Sequence, residues 1–274
     1  AWAGPVWHGS AQALWPQDGL MRRILEKLTA LRGKQRVVLF GVVALAAVCC
    51  GVLLASIIQI TSTLQEREAA AQEYDGLRQQ YAPDAQNSTA TASAPQSEAE
   101  PEKEPWEINP DYVGWLQIAG AGVDYPVVRG ADNTRYLTTT FEGNHNAAGA
   151  IFMDSGSIGG FASRHTILYG HNVKNGSMFG SLKKYLDAAY LAQNPTVIVT
   201  LPDGTTQTWQ IFAARTTDAW DAAYRLDFAD AAAFAAFAAA LGAPEGTSQI
   251  LTLSTCTNSE DDNERILVHA ALVG

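Results

Sequence analysis

Residues 37–60 read VVLFGVVALAAVCCGVLLASIIQI, twenty-four positions without a charge. As an α-helix rising about 1.5 Å per residue the run spans roughly 36 Å, enough to cross a hydrocarbon layer about 30 Å thick. A cleaved leader has an apolar stretch of only about 7–15 residues, so the run is too long for one. A transmembrane helix is therefore the reading preferred over a buried helix of a soluble core. Arg22, Arg23, Lys27, Arg32, Lys34 and Arg36 precede the run, whereas the TSTLQERE that follows is mixed in charge. The positive-inside rule then puts residues 1–36 in the cytoplasm and residues 61–274 outside. Cys49 and Cys50 fall in mid-span and read as small apolar packing residues. A lipid-modified cysteine would want a small residue before it, and Val48 precedes Cys49. Residues 1–20, ahead of Met21, show no helical or strand period and are expected to be a dispensable extension.

Charge is distributed to match that topology. Residues 1–36 hold six Lys/Arg against Asp18 and Glu26, while 61–105 sum to −6 and 106–274 to −8, giving the net −10 of the chain. A nucleic-acid binder usually presents a basic face, so that class is excluded. The asymmetry points to a membrane orientation.

Beyond the run, residues 62–82 are polar and helix-compatible and are expected to form a stalk. APDAQNSTATASAPQSEAEPEKEP (82–105) has almost no large apolar residue and reads as a disordered tether. From Trp106 the composition changes. Strand-like runs occupy 123–128, 149–154, 165–170, 196–201, 208–219, 248–254 and 265–272, with PDGT (202–205) as a turn between two of them. Residues 111–118, 132–139 and 178–186 read as short helices. DFADAAAFAAFAAAL (227–241) is the clearest helix: Phe234, Phe237 and Leu241 recur at three and four residues, and Asp227 or Asp230 can cap its start. Strands outnumber helices and no βαβ alternation appears. The expected class is mainly β, a closed barrel rich in antiparallel pairs with peripheral helices, preceded by one transmembrane helix.

Cys256 is the lone cysteine outside the apolar run. An unpaired thiol in an oxidising compartment is a candidate reactive group. Strand alternation sets Thr252, Ser254 and Cys256 on one face of TLSTC and the leucines on the other. A thiol nucleophile needs a neighbouring base or cation to favour its thiolate. Among the five histidines, His8 is cytoplasmic by the topology above and His145 lies in a loop. His165 begins a strand and is expected at the surface or at a pocket edge. His269 shares the face of Arg265 but stands about 13 Å along the strand from it. His171, just after Gly170 where a strand leaves for a loop, is the best placed.

The combination TLSTC (252–256), Arg265 nine residues later in RILVHAAL, and YGHN some 85 residues earlier resembles the sortases, cysteine transpeptidases that attach proteins to Gram-positive cell walls. The long YGHNVKNGSMFGSLKKY, together with DNTRYL, YPVVRG, GAIFMD and the helix at 227–241, resembles class B in particular. The likeness covers residues 106–274. It implies an eight-stranded barrel, with His171, Cys256 and Arg265 as the catalytic residues and Asn133, Leu137 and Ser254 lining the groove for the substrate. It also implies cleavage of a C-terminal sorting signal, Asn-Pro-X-Thr-like, through a Cys256 thioester, and transfer of the protein to a peptidoglycan amine. Expected partners are surface proteins bearing that signal, the amine of a peptidoglycan precursor and the membrane. No cofactor or metal is expected, since SEDDNE (259–264) lacks the glycine-punctuated spacing of a calcium loop. Polymerisation of pilins and an inactive binding module on the same fold are the alternatives. The implied organisation is a cytoplasmic segment (1–36), the membrane helix (37–60), a stalk and linker (61–105) and the catalytic domain (106–274).

Overall fold

The structure, a computed structural model, describes residue 23, residues 32–83 and 103–257, residue 259 and residues 261–274. The expected extension at 1–20 and residues 84–102 of the expected tether (82–105) lie outside the described residues. The chain divides into two compact units, residues 1–62 and 63–274.

Helix α1 (Gly33–Tyr81) carries the apolar run. It is the one described helix long and apolar enough to cross a membrane. Its side chains there are open on all sides: Val37, Leu45 and Ile58 are 73%, 65% and 67% exposed. An uninterrupted apolar surface of that extent is not sustained in water and calls for a lipid or protein cover.

In the second unit eight strands close a barrel in the order β1-β2-β3-β4-β7-β8-β6-β5. They are β1 (Tyr112–Ile118), β2 (Val123–Val128), β3 (Ile151–Met153), β4 (His165–Tyr169), β5 (Thr196–Thr200), β6 (Thr206–Asp218), β7 (Ile250–Cys256) and β8 (Glu264–Leu272). Pairing is antiparallel except for β2 with β3 and β4 with β7, which run parallel. Closure leaves no edge strand exposed. The hydrophobic core includes Trp115, Leu116, Ile118, Val127, Ile151, Val199 and Trp209.

Residues 111–118, expected as a helix, form β1 instead. Trp115, Leu116 and Ile118 are all buried, so both faces are covered and the alternation that marks a strand is erased. A short apolar run of this kind does not distinguish helix from strand. Gly114 gives a local reason for the strand: its φ is +152°, and a Cβ there would lie 2.9 Å from the carbonyl oxygen of Thr200 on β5. The pairing with β2 shifts register beside it. The helices expected at 132–139 and 178–186 are reduced to 3-10 turns at Arg135–Leu137 and Leu182–Leu186.

Three further helices are α2 (Pro105–Ile108), α3 (Ala188–Gln193) and α4 (Ala231–Ala240). Asp230, one of the two expected caps, accepts the N–H of Ala233 at 2.8 Å and starts α4. Phe234 and Ala238 of α4 pack on Ile250 of β7, with Phe237 and Leu241 beside them. Helix α4 thus covers a stretch of β7.

The last turns of α1 dock on the barrel. Ala70, Tyr74, Leu77 and Tyr81 are buried, a stripe at spacings of four, three and four. The Tyr74 hydroxyl donates to the Gly149 carbonyl at 2.6 Å, and Glu73 accepts from the Thr140 hydroxyl and the Glu142 N–H. The segment expected as a stalk is therefore part of the packed unit from residue 63 onward.

Candidate active site

Strand β4 and strand β7 run side by side with Tyr169 opposite Ser254. Past that pair the two chains remain stitched. Gly170 N–H donates to the Ser254 carbonyl at 3.2 Å, the Thr255 hydroxyl to the Gly170 carbonyl at 2.7 Å, and the Asn172 amide to the Cys256 carbonyl at 2.9 Å. Gly170 allows this close passage, since a Cβ would lie 2.5 Å from Ile151 and 2.8 Å from Phe179. The loop then folds back, with Phe179 N–H on the His171 carbonyl at 3.0 Å. His171 and Cys256 are 85 residues apart in sequence, yet adjoining strand ends deliver both.

Cys256 is the last residue of β7 and is exposed. Arg265, near the start of β8, is its direct antiparallel partner. Residues directly opposite in such a pair hold their Cβ atoms about 4.5–5.5 Å apart. One terminal nitrogen of Arg265, Nη1, donates to the carbonyls of Asp262 at 2.6 Å and Glu264 at 3.0 Å. That fixes the guanidinium and leaves Nε and Nη2 without a partner among the described residues.

Nε2 of His171 lies 2.7 Å from the carbonyl oxygen of Leu137. A carbonyl only accepts, so Nε2 carries the hydrogen and Nδ1 of the neutral ring is the available base. Among the described residues no hydrogen bond joins the Cys256 thiol to His171. Nucleophile–base distances are often loose before substrate closes the site.

These residues line a cavity of about 220 Å³ together with Asn133, Leu137, Phe152, Tyr169, Gly170, Ser254 and Thr255. All six residues singled out in the sequence, Asn133, Leu137, His171, Ser254, Cys256 and Arg265, thus meet at one pocket. Asn133 is rigidly held: its amide donates to Asp154 Oδ2 at 2.9 Å and its carbonyl oxygen accepts the Ser155 N–H at 2.8 Å. Asp154 Oδ2 also accepts the Tyr169 hydroxyl at 2.7 Å. Burial, and then the Asp154 carboxylate, push the Tyr169 hydroxyl far above the usual phenol range, so it stays a donor. Tyr224 stacks on Tyr169 at 6.4 Å and shares a 2.8 Å hydrogen bond with the Ser254 hydroxyl. Burial raises the Tyr224 hydroxyl as well, although the Ser254 bond opposes it.

Sequence reasoning missed Tyr169, Asp154 and Tyr224. The first two lie inside motifs quoted above, YGHN and GAIFMD, whereas Tyr224 sits in a connection with no period.

His165, expected at the surface or a pocket edge, is buried at 1% exposure. Phe237 of α4 covers it at 5.1 Å. It belongs to a hydrogen-bonded chain of three side chains, His165, Thr252 and His269. His165 Nδ1 meets the Arg225 carbonyl at 2.7 Å, His165 Nε2 meets the Thr252 hydroxyl at 2.7 Å, and that hydroxyl meets His269 Nδ1 at 2.9 Å. Burial pushes His165 down to about 4 and His269 down to about 3, so both rings are neutral near pH 7. The Arg225 carbonyl then fixes every hydrogen: His165 Nδ1 donates to it, Thr252 donates to His165 Nε2, and His269 Nδ1 donates to Thr252. His269 Nε2 is left as a buried acceptor without a partner. The face of β7 that alternation marks as polar is thus covered at Thr252 and meets the pocket at Ser254 and Cys256.

The sortase-domain family model matches residues 116–273. The chain belongs to the sortase family. Sortase B of Listeria monocytogenes is 33% identical over 178 residues, which span 61% of this chain and 72% of that protein. Sortase B of Staphylococcus aureus is 29% identical over 226 residues, 78% of this chain and 89% of that one. Among solved structures, a Staphylococcus aureus sortase B–substrate complex aligns with a TM-score of 0.64 at 27% identity, covering 76% of this chain and 98% of that one. Bacillus anthracis sortase B in complex with AAEK1 aligns with a TM-score of 0.62 at 28% identity, covering 77% and 99%. The relatives place this sortase in class B, among the cysteine transpeptidases, in agreement with the motifs and with the closed eight-stranded barrel.

Proposed function

We propose that this sortase is a membrane-anchored transpeptidase that cleaves an Asn-Pro-X-Thr-like C-terminal sorting signal and transfers the protein to a cell-wall amine. The observation that carries the reading is the convergence of His171, Cys256 and Arg265, from three separate segments, on the pocket lined by Asn133, Leu137 and Ser254.

In this reading His171 Nδ1 takes the Cys256 thiol proton, and the thiolate attacks the Thr carbonyl of the signal. The oxyanion that forms lies against the unspent N–H groups of Arg265, whose other donors anchor the guanidinium to the 262–264 backbone. The His171 ring, held by the Leu137 carbonyl, gives a proton from Nδ1 to the departing amine and leaves a Cys256 thioester. A peptidoglycan amine then attacks the thioester and gives its proton to the same nitrogen, and the C–S bond breaks with its electron pair on the Cys256 sulfur. The Asn133 amide, with one N–H committed to Asp154, has a second to offer the signal backbone.

Residues 37–60 serve as a single membrane span with residues 1–36 in the cytoplasm. The domain from 106 to 274, with the end of α1 docked on it, acts outside. The six basic residues ahead of the run and the exposed apolar surface of α1 support this orientation.

The reading is tested with the full chain in detergent micelles, a library of peptides carrying varied pentapeptides, and an oligoglycine amine. The expected product joins the fragment ending in Thr to the amine. Cleavage at another bond, or no transfer to any amine, contradicts the reading. Protease added to intact cells should release the outer domain, whereas cleavage of the N-terminus alone would reverse the topology.

A further inference from the structure

Residues 219–229 lead from β6 to the cap of α4. Midway, a 3-10 turn at Ala222–Tyr224 sets Tyr224 against the catalytic pocket. The Tyr224 ring stacks on Tyr169 with 11° between their planes, and its hydroxyl meets Ser254 Oγ at 2.8 Å. Tyr169 and Ser254 both line the pocket, so Tyr224 braces two of its walls. After burial and the Ser254 bond, Arg265 and Cys256 both act on the acidity of that hydroxyl, which therefore stands within electrostatic reach of the catalytic pair.

Few contacts fix Tyr224 there. Among the described residues, two hydrogen bonds tie residues 222–229 to the strands. One is the Tyr224–Ser254 bond itself. The other is made one residue on, where the Arg225 carbonyl accepts from His165 Nδ1 at 2.7 Å. The Arg225 side chain stays within the connection, with Nε on the Asp227 carbonyl at 2.8 Å and the guanidinium 5.0 Å from the Phe228 ring. Asp221 fixes the entry to the turn: its carboxylate accepts the Ala223 N–H at 2.7 Å and is gripped by Arg215 and Thr217 of β6. Tyr224 thus stands between two pins, Asp221 before it and the His165 bond after it.

The His165 pin is itself held. The ring is buried at the start of β4, with Nε2 on the Thr252 hydroxyl at 2.7 Å and Phe237 packed 5.1 Å away. A ring bonded at both nitrogens has one orientation, so its Nδ1 hydrogen has one fixed direction. A donor locked in this way sets the backbone that it binds. Thr252 lies two residues before Ser254 on β7, so β4 and β7 together fix both bonds that seat the connection.

We propose that His165 is a positioning residue for the signal pocket: by donating to the Arg225 carbonyl it seats Tyr224 on Tyr169 and Ser254, and so sets the wall that the signal peptide meets. The inference rests on the transpeptidase reading above. His165 touches no reacting atom, and its effect falls on binding of the signal and not on the chemistry at Cys256.

The test uses the full chain in detergent micelles and a sorting-signal peptide without amine. Thioester formation on Cys256 is followed in single turnover over a range of peptide concentrations. The half-saturating concentration reads binding and the limiting rate reads chemistry, while the folded fraction enters only the amplitude. His165→Gln carries its polar atoms one bond further out, toward Thr252, and removes the donor to Arg225. It should raise the half-saturating concentration by about three- to tenfold, the size of one lost hydrogen bond, at an unchanged limiting rate. His165→Asn keeps an N–H where Nδ1 stood and should return the half-saturating concentration to that of the unaltered chain. Tyr224→Ala should raise it at least as far as His165→Gln does. Adding His165→Gln to Tyr224→Ala should raise it no further, because His165 acts through Tyr224. A histidine with a purely structural role would lower the amplitude alone, to nothing at the limit, in the Gln and Asn variants alike. That result, an unchanged half-saturating concentration in Tyr224→Ala, or additive effects in the double variant overturns the positioning role while the thioester still forms. If the unaltered chain forms no thioester with any signal peptide, the transpeptidase reading fails and takes this inference with it.

Discussion

Cys256 and Arg265 stand directly opposite each other at the mouth of the β7–β8 hairpin. Nine residues of sequence become one cross-strand step, because the connection turns back at once with Thr257 N–H on the Glu264 carbonyl at 3.2 Å. In the proposed reading Arg265 has a double task there: Nη1 grips the carbonyls of Asp262 and Glu264 while the rest of the guanidinium serves an oxyanion. A lysine ammonium is compact and has no planar fork with which to do both. Arg265→Lys should therefore lower the rate of thioester formation by about 10²–10³. Near-normal turnover, measured by single-turnover kinetics, would remove Arg265 from that role.

Asp154 supports the pocket from behind. One of its oxygens accepts from both Asn133 and Tyr169, which line the cavity. Asp154→Asn either loses those acceptor contacts or confronts the two donors with an NH₂. The expected outcome is a KM for the signal peptide raised roughly tenfold, the loss of one charge-assisted hydrogen bond, with a smaller change in kcat. A fall in kcat at unchanged KM would place Asp154 in the chemistry and not in substrate positioning.

Stability should depend on pH through the His165–Thr252–His269 chain. Folding depresses both imidazoles below the ordinary histidine value near 6.5, His165 to about 4 and His269 to about 3. Between those values the unfolded chain binds more protons, so stability falls as pH falls through that window and is fully present above it. For His165 alone the loss is of the order of 3 kcal/mol. Urea midpoints measured from pH 7.5 to 4 should fall, and the fall should be shallower in His165→Gln. Parallel curves for the two proteins would contradict the assignment of a neutral, buried His165.

The docking of α1 is tested at Tyr74 and Leu77. Tyr74→Phe leaves the Gly149 carbonyl without its 2.6 Å donor and should cost about 1–3 kcal/mol. Leu77→Ala, at a side chain 3% exposed, should cost about 2–5 kcal/mol. Denaturant midpoints for the barrel transition read both. Midpoints identical to the unaltered chain would mean that the end of α1 is not part of the cooperative unit.

Much of this architecture was legible in the sequence, for identifiable reasons. Seven strands announced themselves because β-branched and aromatic runs are bounded by turn residues, and the start of α4 was narrowed to Asp227 or Asp230, of which Asp230 is the cap. The pocket residues were legible because their motifs are specific in combination, although no single motif places His171 beside Cys256. Strand β1 was not legible, since burial on both faces of Trp115 and Leu116 removes the alternation. His165 misled for the opposite reason: a polar residue at a strand end looks exposed until α4 lies over it. The docking stripe Ala70, Tyr74, Leu77, Tyr81 was readable from its spacing but was masked by the surrounding charges. Tyr224 gave no local signal, because its position near Ser254 depends on the whole 219–249 connection returning to β7.

The central claim is that Cys256 carries the peptide through a thioester, and intact-protein mass spectrometry tests it most directly. The full chain is mixed with a signal peptide in the absence of any amine, quenched in acid within one turnover, and digested to locate the added mass. The account predicts an adduct of the peptide fragment ending in Thr, located on Cys256 and released faster by hydroxylamine as the hydroxamate. It also predicts no adduct in Cys256→Ala, whose small side chain at an exposed strand end leaves the barrel folded. His171→Ala should show a strongly reduced adduct, because the departing amine lacks its acid. Cleavage of the peptide at the same bond by folded Cys256→Ala, or an adduct on any residue other than Cys256, would contradict the account.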